Sequence, residues 1–279
     1  LNIIGLGSAG CGIANVLSRY PQYKIFKIDV DISGKGCYNI LKLKTGEEYE
    51  SHDFPGLDKF FKNLKGKTFF IVGGSGKISC ASLKILESIK HVPISIIYIK
   101  PDYELLNKVQ KMQDRVVFSV LQEYARSAVF DDICLVSNQA LDSILGGAPI
   151  IGYHEKLNEI FASTFHMINV FQNTKPIIGS IEEPKETHRI LTIGLFDAEK
   201  NEEKMFFSLD NPRERCYIYS INEDKLKTDN DLFNTLKNQV RSKTTEDLSI
   251  TYAVYSTNYD YDLGYVIERT PYTQQQALK

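Results

Sequence analysis

The chain has 279 residues, 43% of them hydrophobic and 24% charged, which supplies a sizeable core for one large domain or two moderate ones. The formal net charge is −2, so no global attraction draws it to nucleic acid or to an acidic membrane surface. No apolar run reaches the length of a membrane span, and the five cysteines show no metal-ligand spacing; their odd number favours reduced thiols in a cytoplasmic compartment. The N-terminus reads directly as a strand, so no signal peptide is expected, and the missing initiator Met implies a few further residues upstream.

The first strand, residues 2–4, runs into the glycine-rich turn Gly5-Leu6-Gly7-Ser8-Ala9-Gly10-Cys11-Gly12, and a helical pattern follows. A strand–turn–helix unit aims free backbone N–H groups and the positive end of a helix dipole at one point, where anions bind. Gly5, Gly7 and Gly10 satisfy G-x-G-x-x-G, and Asp29 follows the second strand (24–28) at about 20 residues on, as in a dinucleotide site. The same turn also occurs with no ligand. Asp29 and Asp31 either meet ribose hydroxyls, hold Mg²⁺ and its waters beside phosphates, or cap the strand end.

A helix over 54–63 precedes a strand at 68–72, which opens into a second turn, Gly73-Gly74-Ser75-Gly76, then Lys77 and a helix over 79–89. A structural turn needs one glycine, whereas this one leaves its backbone open to a phosphate. Two such turns in one sheet suit a nucleotide triphosphate gripped from both sides. Lys77 either adds charge at the phosphates or faces solvent. Strands at 94–99 and 133–136, a long helix near 103–127 and another at 138–145 complete the alternation. The pattern predicts an α/β fold: a parallel-sheet, Rossmann-like nucleotide-binding domain over 1–152.

A second long helical pattern carries Leu157, Ile160, Phe161, Phe165, Ile168 and Phe171 on one side and defines a central segment, 153–178. Strands at 190–196, 204–208, 216–220, 249–255 and 264–268, with a helix at 229–242, predict a smaller α+β domain over 179–269. Residues 270–279 read as a polar tail where an adaptor could attach.

Taken in order, these motifs resemble the tubulin/FtsZ superfamily of self-assembling GTPases, most of all its divergent phage and plasmid members. The first turn matches that family's initial nucleotide loop, including Asn15 one turn into the helix. Val72-Gly73-Gly74-Ser75-Gly76 matches its second loop, G-G-G-T-G-x-G, with Val72 for the first glycine and Ile78 for the last. Residues 94–101 match a strand ending in Lys-Pro, and 115–138 align without gaps to a helix and strand ending in an Asn at the base site. The resemblance covers 1–190 by motif and the rest by architecture.

It implies GTP and GDP binding with Mg²⁺, GTP hydrolysis, and a head-to-tail homopolymer in the cytoplasm of a prokaryotic or phage-infected cell. A side-chain amide offers the donor and acceptor that guanine requires, which suits Asn138 and Asn158. Singly, an Asn after a strand is also a common helix cap. The family's base-stacking ring falls at His154 by register, while Tyr153 is the better stacking ring. Glu104 and Arg115 would reach ribose or phosphate; Glu104 is displaced by one residue and an extra segment, 105–114, precedes Arg115. The family's hydrolytic acids act on the nucleotide of the next subunit. Glu183 and Glu186, with Glu182 beside them, reproduce the acid-x-x-acid spacing after a small insertion. Such a contact does not close on itself and generates a filament.

Two other readings stand beside this one. The altered second loop and shifted acids fit a protein that binds nucleotide without hydrolysis or assembly. The first turn alone fits an NAD-dependent oxidoreductase, yet His52, His91, His154, His166 and His188 form no evident catalytic constellation.

Overall fold

The computed structural model of the protein describes residues 1–260 and 262–275. The chain divides into two units, Leu1–Ala162 with the residues from Thr273 onward, and Ser163–Tyr272. In the first unit, β1 (Asn2–Leu6), β2 (Lys24–Asp29), β3 (Cys37–Asn39), β4 (Thr68–Gly73), β5 (Ile94–Lys100) and β6 (Asp132–Ser137) lie in the order β3-β2-β1-β4-β5-β6. The pairings between them are parallel. A parallel sheet is covered on both faces, so its strands read as continuous apolar runs rather than alternation. Accordingly Ile3, Ile4, Phe70, Ile71, Ile96, Ile97, Ile133 and Leu135 are all buried.

Strand order reverses between β1 and β4. Ligands of open α/β sheets bind beyond the carboxyl ends of the strands at such a reversal. The register pairs Gly5 with Ile71 and Leu6 with Val72, so the two glycine turns, remote in sequence, leave the sheet side by side.

The helices of this unit are α1 (Gly7–Leu17), α2 (Gly46–Ser51), α3 (Leu57–Phe61), α4 (Ser82–Ser88), α5 (Lys108–Arg126), α6 (Asn138–Leu145) and the first part of α7 (Tyr153–Gln172). Several differ from their sequence expectation for local reasons. The helix expected from 103 begins at Lys108, because Asn107 accepts from the Gln110 N–H while Gln110 reaches back to the Asn107 N–H, a reciprocal cap. Residues Tyr103–Leu105 form a separate tight turn. The helix expected over 54–63 is cut to α3, since Gly56 at its entrance sits at φ 84°. Helix α2 has no apolar period and went unpredicted; Thr45 caps it by accepting from the Glu48 N–H.

The second unit contains β7 (Ile178–Gly179), β8 (Ile190–Asp197), β9 (Glu202–Met205), β10 (Glu214–Asn222), β11 (Ser249–Thr257), β12 (Leu263–Thr270), α8 (Glu223–Thr228) and α9 (Leu232–Lys243). Its strands run β8-β12-β10-β11-β7, with β9 on β8. Among the described residues of this set, only β10 and β11 pair in parallel. Phe196, Tyr217, Tyr219, Ile221, Leu236, Val254 and Val266 form its core. The strand expected at 204–208 is displaced to β9, and Phe206 and Phe207 turn into the interior instead.

The stretch expected as a tail starts inside β12. Gln274 is buried; its N–H donates to Gln122 Oε1 at 2.7 Å, and its carbonyl accepts from Gln122 Nε2 at 3.2 Å. Residues 276–279 of that stretch lie outside the described residues.

Candidate functional site

A cleft of about 480 Å³ opens where the two turns leave the sheet. Gly7, Ser8 and Ala9 line it from the first turn, Gly73, Ser75, Gly76 and Lys77 from the second, and Asp29 from the end of β2. Lys42, Leu43 and Tyr49 close the wall, and sequence reasoning named none of them. They come from a polar stretch with no period. Pairing of β3 with β2 carries that stretch to the cleft, where the Tyr49 hydroxyl accepts from the Leu43 N–H at 3.0 Å and Glu48 accepts from the Lys44 N–H at 2.7 Å. Among the described residues, neither Lys42 nor Lys77 has an ion-pair partner.

The glycines serve different ends. A methyl group on Gly5 would lie 2.4 Å from the Gly10 carbonyl oxygen, and one on Gly10 would lie 2.3 Å from that of Ile71. These two glycines let strand, turn and helix close on each other. Gly7 has φ +67° and starts α1, the geometry in which a turn presents N–H groups at a helix N-terminus. In the second turn, a methyl on Gly73 would meet Ala9 at 2.9 Å, and one on Gly74 would lie 1.8 Å from the Tyr98 hydroxyl. The excess of glycine there is therefore largely packing. Gly76 alone has open space and an ordinary φ of −77°, so nothing in the fold demands glycine at that position.

Under the second turn lies a buried carboxylate that sequence reasoning also missed. Asp114 is fully buried and accepts from the Tyr98 hydroxyl at 2.6 Å. Burial and this neighbouring charge hold the Tyr98 phenol well above its usual range. Burial pushes Asp29 above the usual carboxylate range, although its Oδ1 accepts from the Val30 N–H at 2.8 Å, with Asp31 nearby adding to the rise. Asp31 is exposed at φ 55° and does not line the cleft. Cys11 donates to the Gly5 and Ile28 carbonyls; burial, with Asp29 second, pushes its thiol up to about 12, so it stays neutral.

The residues expected at the base and ribose lie outside this cleft lining. Asn158 packs on α1: its Nδ2 stands 2.6 Å from where a Gly12 methyl would be. Asn138 is half-buried at the first position of α6, and the cap is Ser137, whose hydroxyl accepts from the Ala140 N–H. Its amide is thus not used as the helix cap. The Tyr153 hydroxyl donates to Asp142 Oδ1 at 2.7 Å, and its ring stands edge-on to that of exposed His154, 5.3 Å between centroids. Asn15, Glu104 and Arg115 are exposed.

In the second unit, Glu182, Glu183 and Glu186 are exposed, and the first two border a pocket of about 120 Å³ that also includes Arg215 and Arg269. The segment is pinned by Glu214. Its Oε1 accepts from the Lys185 N–H at 3.3 Å and lies 3.0 Å from Nδ1 of buried His188. Among the described residues, no group of three or more His, Cys, Asp or Glu is placed to hold a metal.

The sheet order, the paired turns and the helix α7 define the tubulin/FtsZ fold. Solved structures bear this out. The GTPγS-form protofilament of Bacillus thuringiensis serovar israelensis TubZ matches with a TM-score of 0.76 and 15% identity, over 96% of this chain and 86% of that one. The GDP-form protofilaments of the same protein match with a TM-score of 0.69 and 16% identity, over 96% and 88%. The empty FtsZ dimer of M. jannaschii matches with a TM-score of 0.68 and 12% identity, over 96% and 87%. No family profile and no curated protein sequence matches the chain. No helix among the described residues is long and apolar enough to cross a membrane.

Proposed function

We propose that this chain is a GTP-binding GTPase that assembles head to tail, each copy supplying acids to the nucleotide of the next. The observation that carries the reading is the convergence of both glycine turns on one cleft at the strand-order reversal. Its backbone N–H groups, the α1 N-terminus and the unpaired Lys42 and Lys77 suit a chain of phosphates. Asn138 and Asn158 would pair with guanine, with Tyr153 or His154 against the base, and Asn15, Glu104 and Arg115 at ribose or phosphate. The neighbours solved as GTPγS-form and GDP-form protofilaments support both guanine nucleotide and self-association.

Mg²⁺ at such a site is bound by one or two carboxylates plus substrate phosphates, and supplies charge neutralisation. Asp29 fits that part because it lines the cleft beside the phosphate-facing turns. In hydrolysis, water oxygen bonds to the γ-phosphorus, the bond from phosphorus to the β–γ bridging oxygen breaks, and GDP leaves. Glu183 or Glu186 of the adjoining copy orients the water and takes its proton, with Glu182 beside them.

Titration calorimetry with GTP, ATP and NAD, followed by sedimentation with GTP, tests the reading. Selective GTP binding and GTP-dependent pelleting are expected. Selective NAD binding would overturn it, and GTP binding without pelleting would leave a non-assembling nucleotide binder.

A further inference from the structure

Helix α5 carries two apolar faces. Val117, Phe118, Leu121 and Ala125 are buried in the first unit. Val109, Met112 and Val116 are 58%, 55% and 57% exposed, and Leu105 just before the helix is 81% exposed. Spacings of three and four residues place the three helical ones in a single strip. Isolated exposed apolar residues need no explanation, but a contiguous strip marks a contact surface. Exposed Lys108 and Arg115 flank it.

The strip begins at a groove of about 550 Å³ walled by Ser75, Gly76 and Lys77 on one side and by Asn107–Gln110 and Gln113 on the other. Ser75, Gly76 and Lys77 also line the nucleotide cleft, so strip and cleft share an edge. The strip falls largely on the extra segment 105–114, which the resemblance left without a part.

We propose that residues 105–116 form a docking surface for segment 177–186 of a second copy of this chain. That segment has the complementary chemistry: Ile177 is 58% exposed, and Glu182, Glu183 and Glu186 are exposed. Apolar side chains meet Ile177, and exposed Lys108 meets Glu182, which steers Glu183 and Glu186 toward the shared edge of the cleft. The inference rests on head-to-tail assembly and adds the surface that guides it.

A photo-crosslinking residue in place of Met112 tests the occupant in GTP-assembled full-length protein. Adducts mapping to peptide 174–187 of a second copy are expected; adducts confined to other peptides, or none in pelleted material, overturn the proposal. A Val109→Glu/Met112→Glu variant should raise the critical concentration at least about tenfold while GTP affinity changes less than about twofold. A neutral Val109→Gln/Met112→Gln variant, checked by circular dichroism, guards against misfolding and should shift assembly in the same direction. If wild type assembles and both variants assemble at the same concentration, the contact is wrong while the assembly reading stands. If wild type neither binds GTP nor assembles, both fall.

Discussion

Gly74 and Gly76 stand two residues apart in one turn for opposite reasons. A methyl on Gly74 would strike the Tyr98 hydroxyl and the Asp114 carboxylate, whereas Gly76 has open space at an ordinary φ. Gly74→Ala should therefore cost about 1–3 kcal/mol in urea denaturation. Gly76→Ala should be neutral or stabilising by about 0.4–1 kcal/mol, with any loss appearing in GTP affinity instead. Asp29 yields a pH test. Burial raises its folded pKa above the ordinary 3.8, so the folded state holds its proton more tightly than the unfolded chain does. Its contribution is fully present below 3.8 and is lost as pH rises through the raised value. Nucleotide-free Asp29→Asn should accordingly be more stable than wild type at pH 7, with the gain shrinking at pH 3.5, measured by urea denaturation at both pH values. The glycine spacings were legible in the sequence because turn geometry is local. Lys42, Tyr49 and Asp114 were not, because only sheet pairing and helix packing carry them to the turns.

At the scale of elements, β1, β4, β5 and β6 were read well because burial on both faces leaves unbroken apolar runs, whereas the short, partly exposed strand β3 was not read. Helix ends were read poorly. The start of α5 is decided by the Asn107–Gln110 reciprocal cap rather than by apolar period, and α2 and α8 are short polar helices set by Thr45 and Asn222. Asn107→Ala should lower stability by about 1 kcal/mol in thermal or urea melts. The acidic segment has its own anchor in Glu214, which holds the Lys185 N–H and faces His188. Glu214→Ala should leave GTP affinity unchanged and lower the maximal turnover of assembled protein several-fold. Equal loss of affinity and turnover would mean that Glu214 merely supports the fold.

Across the whole molecule, the candidate nucleotide cleft lies in the first unit and the candidate acids lie in the second. The order of motifs made the fold legible at 12–16% identity to its solved neighbours, because glycine turns and strand order persist where side chains do not. The acids were less legible: an exposed loop has no packing to fix its register, so only the family resemblance, taken with a small insertion, marked Glu183 and Glu186. If those acids serve the next copy, dilution must silence the enzyme without emptying its cleft. The most direct measurement is GTP turnover per subunit against protein concentration, with Mg²⁺ present and GTP saturating. A specific rate near zero at low concentration that climbs steeply above a threshold is the expected result. A specific rate independent of concentration, or no turnover at any concentration with GTP bound, would contradict a site completed between copies.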